Sequence, residues 1–470
     1  MNTAHNHFSA TFVLLLSGLS AVSAADLKPV KPNLLHIHAD DHRADGLHAL
    51  GTEALKTPNL DTLVERGTTF ACCYTMGSMV GAVCLPSRTM MLTGRSLFHL
   101  GGRGTPVTGL TPLPTVIKAA GYETWHMGKS GNEYKAGIQA FDINIVDDAK
   151  GAGEQNSRAF SSRRHADRAI EFLKRRDPSK PFYIYLAPPV PHDPRLAEPQ
   201  FHRLYEAAKL PLSPAFLPQH PWDNGDMTVR DEKLAPWPRT PEDTRRQFAD
   251  YYACVTGLDH HVGRIFEALK QSGQFQNTII VFTGDNGLSL GEHGLFGKQN
   301  LYELGGMHVP FVLAGPGIPK GRSEALVYLM DLFPTFCDFA GATLPAGTEG
   351  RSLRPVIEGK AAKVRDVLYT AYQQGQRSIR DDRWKLIRYP LVDRTQLFDL
   401  AADPLELNNL AAQAGQAARI SELTALLQKE MQRYDDATPL KVASPRPAEW
   451  TPPETNASGG PKNKRKAAAK

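Results

Sequence analysis

The chain has 470 residues, 41% hydrophobic and 22% charged, with a formal net charge of +5. That composition supports one large domain with a smaller appendage and excludes wholesale disorder. It gives no support to a nucleic-acid module, since the charge excess is small and part of it sits in Lys462, Lys464, Arg465, Lys466 and Lys470 at the end of the chain.

In chain order, residues 1–25 read as a secretory signal peptide. The apolar run 12–19 precedes the small residues Val22-Ser23-Ala24-Ala25, an acceptable cleavage site. The run is too short to span a bilayer and no second segment is apolar enough, so a periplasmic or secreted protein without stable membrane insertion is expected. Residues 33–39 read as a short apolar strand that delivers Asp40-Asp41. Next comes Cys84-Leu85-Pro86-Ser87-Arg88, continuing to Thr93-Gly94-Arg95. A buried core thiol is the ordinary reading of an isolated cysteine. The fixed pattern of Pro, Ser and Arg behind Cys84 points to chemistry instead.

Residues 166–175 read as a helix and 181–187 as a second apolar strand, which leads to Pro191-His192-Asp193-Pro194-Arg195. The long stretch 210–241, with its prolines and Trp222 and Trp237, reads as a substrate-shaping insertion, whose tryptophans suit either sugar stacking or core packing, their more common role. A helix over 251–271 then precedes a β-branched strand over 278–283, which delivers Asp285-Asn286-Gly287. Strands that are apolar throughout, alternating with helices, predict a mainly parallel sheet buried on both faces. In such sheets functional groups gather beyond the carboxyl ends of the strands, where all three polar clusters fall. Asp40, Asp41, Asp285 and Asn286 offer only oxygen, which suits Ca²⁺ or Mg²⁺ and does not suit zinc. The five cysteines (72, 73, 84, 254 and 337) are too few for a disulfide framework, and bridges and buried thiols both stay open.

The Cys-x-Pro-Ser-Arg run with its downstream Thr-Gly-Arg resembles the signature of the type I, formylglycine-dependent sulfatases of the alkaline-phosphatase superfamily. The resemblance extends from about residue 33 to 410. It takes in Gly128-Lys129, Gly297-Lys298, Asn300-Leu301-Tyr302-Glu303, and Leu397-Phe398-Asp399-Leu400 before Asp403-Pro404. It implies an α/β fold, with a mainly parallel sheet flanked by helices and a smaller C-terminal α+β subdomain carrying an antiparallel sheet. The expected organisation is a signal over 1–25, a catalytic domain over 26–365, a small subdomain over 366–440, and a Pro-rich, then basic, disordered tail over 441–470. A strand over 383–389 and a helix over 420–434 are expected in the subdomain.

The same resemblance implies that Cys84 is oxidised to Cα-formylglycine by a formylglycine-generating enzyme during export. It implies that Arg88 orients the modified residue and that Lys129, Lys298 and His192 contact the sulfate or the leaving oxygen. Asp40, Asp41, residue 84, Asp285 and Asn286 would hold the cation, usually Ca²⁺. One hydroxyl of the hydrated aldehyde would attack sulfur, and the second would lose its proton to expel sulfate. Two departures stand out. Gly131 occupies the position of a family histidine assigned to that last deprotonation; His126 is a candidate substitute, the favoured reading being a strand residue that points elsewhere. Gly305-Gly306-Met307-His308-Val309-Pro310 has His where the family commonly has Arg.

The expected function is hydrolysis of sulfate monoesters on a sulfated polysaccharide or oligosaccharide, with a small aryl or choline sulfate ranked second. Two alternatives stand beside it: a phosphonate monoester or phosphodiester hydrolase of the same superfamily, and a non-catalytic relative that binds sulfated glycan.

Overall fold

The computed structural model describes Met1 and residues 31–102 and 109–453. The rest of the segment read as a signal peptide, and the basic end from 454 onwards, lie outside the described residues. Fourteen strands are described. In chain order they are β1 (Asn33–Ala39), β2 (Thr68–Tyr74), β3 (Gly77–Ser78), β4 (Glu123–Gly128), β5 (Ile143–Val146), β6 (Phe182–Ala187) and β7 (Thr278–Gly284), then β8 (His308–Val309), β9 (Phe311–Ala314), β10 (Gly321–Tyr328), β11 (Leu368–Tyr372), β12 (Gln376–Arg380), β13 (Trp384–Tyr389) and β14 (Arg394–Asp399).

The large sheet runs β10-β2-β9-β7-β1-β6-β4-β5, with β8 paired to β2. Strands β7, β1, β6, β4 and β5 are parallel neighbours, while β9 runs against both β7 and β2. Every residue of β1, β6 and β7 is buried. This accounts for the absence of polar alternation in their sequences. Successive side chains of β1 still divide by face: Leu35 and Ile37 join one core, and Leu34 joins another across the sheet.

The crossover helices start earlier than the sequence pattern predicts. Ser161–Arg175 precedes β6, and Pro241–Gln271 precedes β7. The second begins in the stretch read as a loop because Thr240 caps it, its side chain accepting from the Asp243 amide, and Pro241 takes the first helical position.

The smaller sheet runs β14-β13-β12-β11-β3, with helix Ala417–Arg433 packed on β12 and β13. It is antiparallel except where β3, from the N-terminal part of the chain, pairs in parallel with β11. Beside this seam, buried Glu303 receives Lys385 at 2.9 Å and Arg380 at 3.1 Å, and the Tyr74 hydroxyl also donates to it. Its backbone amide donates to Glu406 at 2.6 Å. His308, in the second departing segment, stacks on Tyr74 with ring centroids 4.5 Å apart and bonds Ala71 O. It serves this seam.

Part of the stretch read as a disordered tail is packed. Arg446 donates its amide to Leu391 O, Ala448 O accepts from the Asp223 amide, and Trp450 meets Trp237 edge-on at 5.6 Å. The run pairs with the 210–241 insertion, which its Pro-rich composition concealed. All five cysteines are free and buried.

Burial alone would raise the Glu303 carboxyl, but Lys385, Arg380 and His308 outweigh it and hold it below the usual carboxylate range. A depressed carboxylate stabilises the fold above its unfolded pKa, here 4.5, and the contribution is lost as acid protonates it. Glu303→Ala should therefore destabilise the protein by about 3–5 kcal/mol at neutral pH, as expected when one partner of a buried pair is removed. The difference from wild type should shrink below about pH 4. Urea unfolding at pH 7.5 and at about pH 2.5 checks both.

Candidate active site

Four neighbouring parallel strands place side chains at one end of the large sheet. Asp40 and Asp41 follow β1, Asp285 and Asn286 follow β7, Lys129 follows β4, and His192 lies on the loop after β6. Helix Cys84–Thr93 brings its first residue to the same point, and the long loop after β7 returns Lys298. Asp41 adopts the left-handed backbone region (φ 63), which aspartate tolerates better than most residues. Its amide donates to Asp285 Oδ1 at 2.9 Å.

The Cys84 Sγ lies 3.5 Å from Asp40 Oδ1, 3.7 Å from Asp41 Oδ1 and 3.3 Å from Lys298 Nζ. Donor atoms of Asp40, Asp41, Cys84 and His192 all fall within 4.8 Å of one another. Lys298 Nζ pairs with Asp41 at 2.6 Å and Lys129 Nζ with Asp40 at 2.5 Å. His192 directs Nε2 toward Asp41 Oδ2 at 3.7 Å, while its Nδ1 lies 2.7 Å from Asp193 O. Every residue of the sequence-derived set is thus brought together.

Electrostatics follow from the burial. Desolvation pushes the Asp40 carboxyl up, but Lys129, His192, Arg88 and Lys298 hold it well below the usual range. Asp41 is likewise held down against its burial by His192 and Lys298. Asp285 is raised, by burial and then by Asp40. Burial would lower Lys298, yet Asp41 keeps it well above its ordinary value. Burial, reinforced by Asp285, pushes the Cys84 thiol well up, so the unmodified side chain is a neutral thiol at pH 7.

The oxygen donors fit a hard dication. Asp40, Asp41 and Asp285 are fully buried carboxylates beside Asn286, whose Oδ1 is buried without a partner. Asn286 Nδ2 donates to Asp41 Oδ1 at 2.8 Å, tying the two clusters together.

Sequence reasoning missed Glu133. Arg88 is fully buried, donating Nε to Asp285 Oδ2 at 2.9 Å and Nη1 to Glu133. Its Nη2 has no hydrogen-bond partner and stands 3.7 Å from Asp40 Oδ1, the oxygen that Cys84 approaches. Glu133 lies on the loop that also carries Lys129. Burial drives its carboxyl to about 7 against the pull of Arg88. A lone glutamate beyond a strand carries no motif, and only the fold brings it to Arg88. Also missed were Arg158, which donates to the carbonyls of Pro189 and His192, and Arg230, whose Nη2 lies 3.3 Å from His192 Nε2.

The structure decides two readings that the sequence left open. His126 is wholly buried on β4, stacked on Tyr185, with Nδ1 2.8 Å from Asn144 Oδ1. Burial lowers it to about 3. It is a sheet residue packed among aromatics, outside the cleft. Trp222 and Trp237 also do not line the cleft. Trp222 packs edge-on to His220 and Tyr389, and Trp237 stacks under Arg239. The cleft of about 260 Å³ opens from Asp40, Lys129 and His192 past Gly131 to Lys150, Arg158, Arg164 and Arg230.

Comparison with known proteins finds a match over residues 32–342 to the family described as Sulfatase, and over 291–435 to N-sulphoglucosamine sulphohydrolase, C-terminal. The chain is 27% identical to the N-acetylglucosamine-6-O-sulfatase of Bacteroides thetaiotaomicron, covering 92% of each protein. Its fold is similar to that of a protein solved in complex with its substrate D-glucosamine-2-N,6-O-disulfate (TM-score 0.73, 24% identity, 87% of this chain and 99% of the other). It is equally similar to the phosphonate monoester hydrolase of Agrobacterium radiobacter (TM-score 0.74, 23% identity, 86% and 96%).

Removing Glu133 should free one edge of the guanidinium. Glu133→Ala is expected to lower kcat by about 10- to 100-fold with KM changed less than about threefold, as when an orienting group is lost. Glu133→Gln, which keeps an acceptor for Nη1, should recover most of the rate in the same steady-state assay.

Proposed function

Because the chain belongs to the sulfatase family, within the alkaline-phosphatase superfamily, and is a sulfate-ester hydrolase by that membership, we propose that it acts on a sulfated polysaccharide or oligosaccharide outside the cytoplasm. The observation that carries this reading is the convergence on Cys84 of three buried carboxylates, Asn286, two lysines, Arg88 and His192. A sulfate monoester brings negative charge to such a site, and the positive groups are already fixed where that charge accumulates.

Asp40, Asp41, Asp285 and Asn286 are the residues to hold Ca²⁺ or Mg²⁺, and position 84 is the one to be oxidised to formylglycine. Bound and formed, these supply charge neutralisation at the sulfate oxygens and a hydrated aldehyde as nucleophile. The protein's own groups do the rest. Arg88, gripped by Asp285 and Glu133, presents its remaining nitrogen beside residue 84. Lys129 faces the sulfate from the β4 side. Lys298, 3.3 Å from Sγ, is placed to give a proton to the departing oxygen. His192 holds its Nε2 toward the reacting region, with Nδ1 engaged by Asp193 O.

No carbohydrate-stacking face supports the glycan assignment. It rests on the relative named for a sugar sulfate, and on the charge of the cleft. The fold does not separate sulfatase from phosphonate hydrolase, since both kinds of neighbour are equally similar; the relatives named as sulfatases support the first. The test is to produce the protein with a formylglycine-generating enzyme and count sulfate released per site from a panel of sulfated sugars, with Cys84→Ala as blank. Many turnovers on a sugar sulfate are expected. Faster cleavage of a phosphonate monoester than of any sulfate would overturn the reading, and binding without release would leave a glycan-binding relative.

The position of the family histidine can be tested directly. A Cβ at Gly131 would meet nothing within 4 Å, and the residue has an ordinary φ. Gly131→His should fold with an unchanged melting temperature. It should raise kcat by about tenfold or more if the deprotonating role is otherwise unfilled, the scale of a positioned general base.

A further inference from the structure

We infer that the cleft selects substrates carrying a second anionic group, a sulfate or carboxylate, beside the sulfate that is cleaved. The inference rests on the sulfatase reading and names the substrate class of that same site. Of the residues lining the cleft, five are cationic: Lys129, Lys150, Arg158, Arg164 and Arg230. Three are carboxylates, and each is engaged. Asp40 is held by Lys129, Asp147 by Arg164 at 2.8 Å, and Asp148 by the Ser130 amide at 2.9 Å.

Arg158 is different. Its Nη2 is held by the carbonyls of Pro189 and His192, its Nε is buried without a partner, and among the described residues no carboxylate pairs with it. Lys150 is exposed at the cleft wall. Arg230 reaches in from the insertion, 59% exposed, and is paired with Asp231 at 2.6 Å and Asp193 at 2.9 Å. Among the described residues, Lys150 and Arg158 are therefore the wall's cationic groups that no carboxylate pairs with, in a partly enclosed space where such charge acts more strongly than on open surface.

Among the described residues the lining contains no Phe, Tyr or Trp, its one ring being the His192 imidazole. Recognition of a quaternary ammonium uses aromatic faces, and a cationic wall repels it, so choline sulfate is a poor fit. A sugar held here is bound through its charges, because no described Phe, Tyr or Trp offers a stacking face. The second anion would sit against Lys150, Arg158 and Arg230 while the reactive sulfate occupies the Lys129–His192 end.

The test compares kcat/KM on matched sulfated hexosamines with and without a second sulfate or a neighbouring uronate, and on choline sulfate. The doubly anionic member of at least one pair should be favoured at least about tenfold, with choline sulfate slowest, and the preference should shrink as ionic strength rises from about 0.05 to 0.5 M. Lys150→Ala, and Lys150→Ala with Arg230→Ala, should cut the ratio progressively toward about threefold or less, as expected when cationic partners are removed. Ratios within about threefold across all pairs, or choline sulfate as the preferred substrate, would overturn the inference. Should the wild type release no sulfate from any probe, the functional reading falls by itself. The inference is then decided by calorimetric binding of the same pairs to Cys84→Ala, with equal affinities counting against it.

Discussion

Three buried carboxylates, Asp40, Asp41 and Asp285, set the terms for the rest of this structure. Each isolated charge would be prohibitively costly to bury, so the surrounding chain must supply positive charge or hydrogen-bond donors in fixed places. Lys129, Lys298 and Arg88 do so from three separate elements, and the amides of Asp41 and Asn286 complete the coordination of Asp285. The need to satisfy these charges explains why residues far apart in sequence are locked at one end of the sheet. It also explains why Arg88 has lost all exposure. Such a cluster is preorganised for an anion and a dication, because no reorganisation is needed when charge develops there.

The same logic recurs at the seam between the sheets. Glu303 anchors Lys385 and Arg380 of the smaller sheet to the loop that delivers Lys298. The smaller sheet thereby braces a loop of the site while contributing no group to the reaction centre. The insertion over 210–241 is held from the other side by residues 446–450, which leaves Arg230 on a supported arm over the cleft.

Much of this was legible in the sequence because apolar strands ending in acidic residues have few other physical readings. The Asp40-Asp41 and Asp285-Asn286 clusters could be placed together from the parallel-sheet rule alone, and the Cys84 pattern named the chemistry. Helix starts were missed where a cap and a proline, at Thr240 and Pro241, overrode the loop-like composition before them. Glu133 was invisible because its role comes from a long-range contact with Arg88, 45 positions away, that no local spacing encodes. The two roles open to the tryptophans could not be separated for a related reason. Trp237 and Trp450 pack against each other across a sequence distance that hides their partnership, and exposure cannot be inferred from residue type.

The claim at the centre of this account is that the buried carboxylates form one dication site facing residue 84. Its most direct test is calcium binding to the purified protein by calorimetry, with melting temperature as a parallel readout and no substrate present. The account predicts one tight Ca²⁺ per chain that raises the melting temperature. It predicts that this ion is lost in Asp41→Asn and Asp285→Asn while both variants still fold. Absence of saturable binding in the wild type, or binding that survives both substitutions, would contradict it.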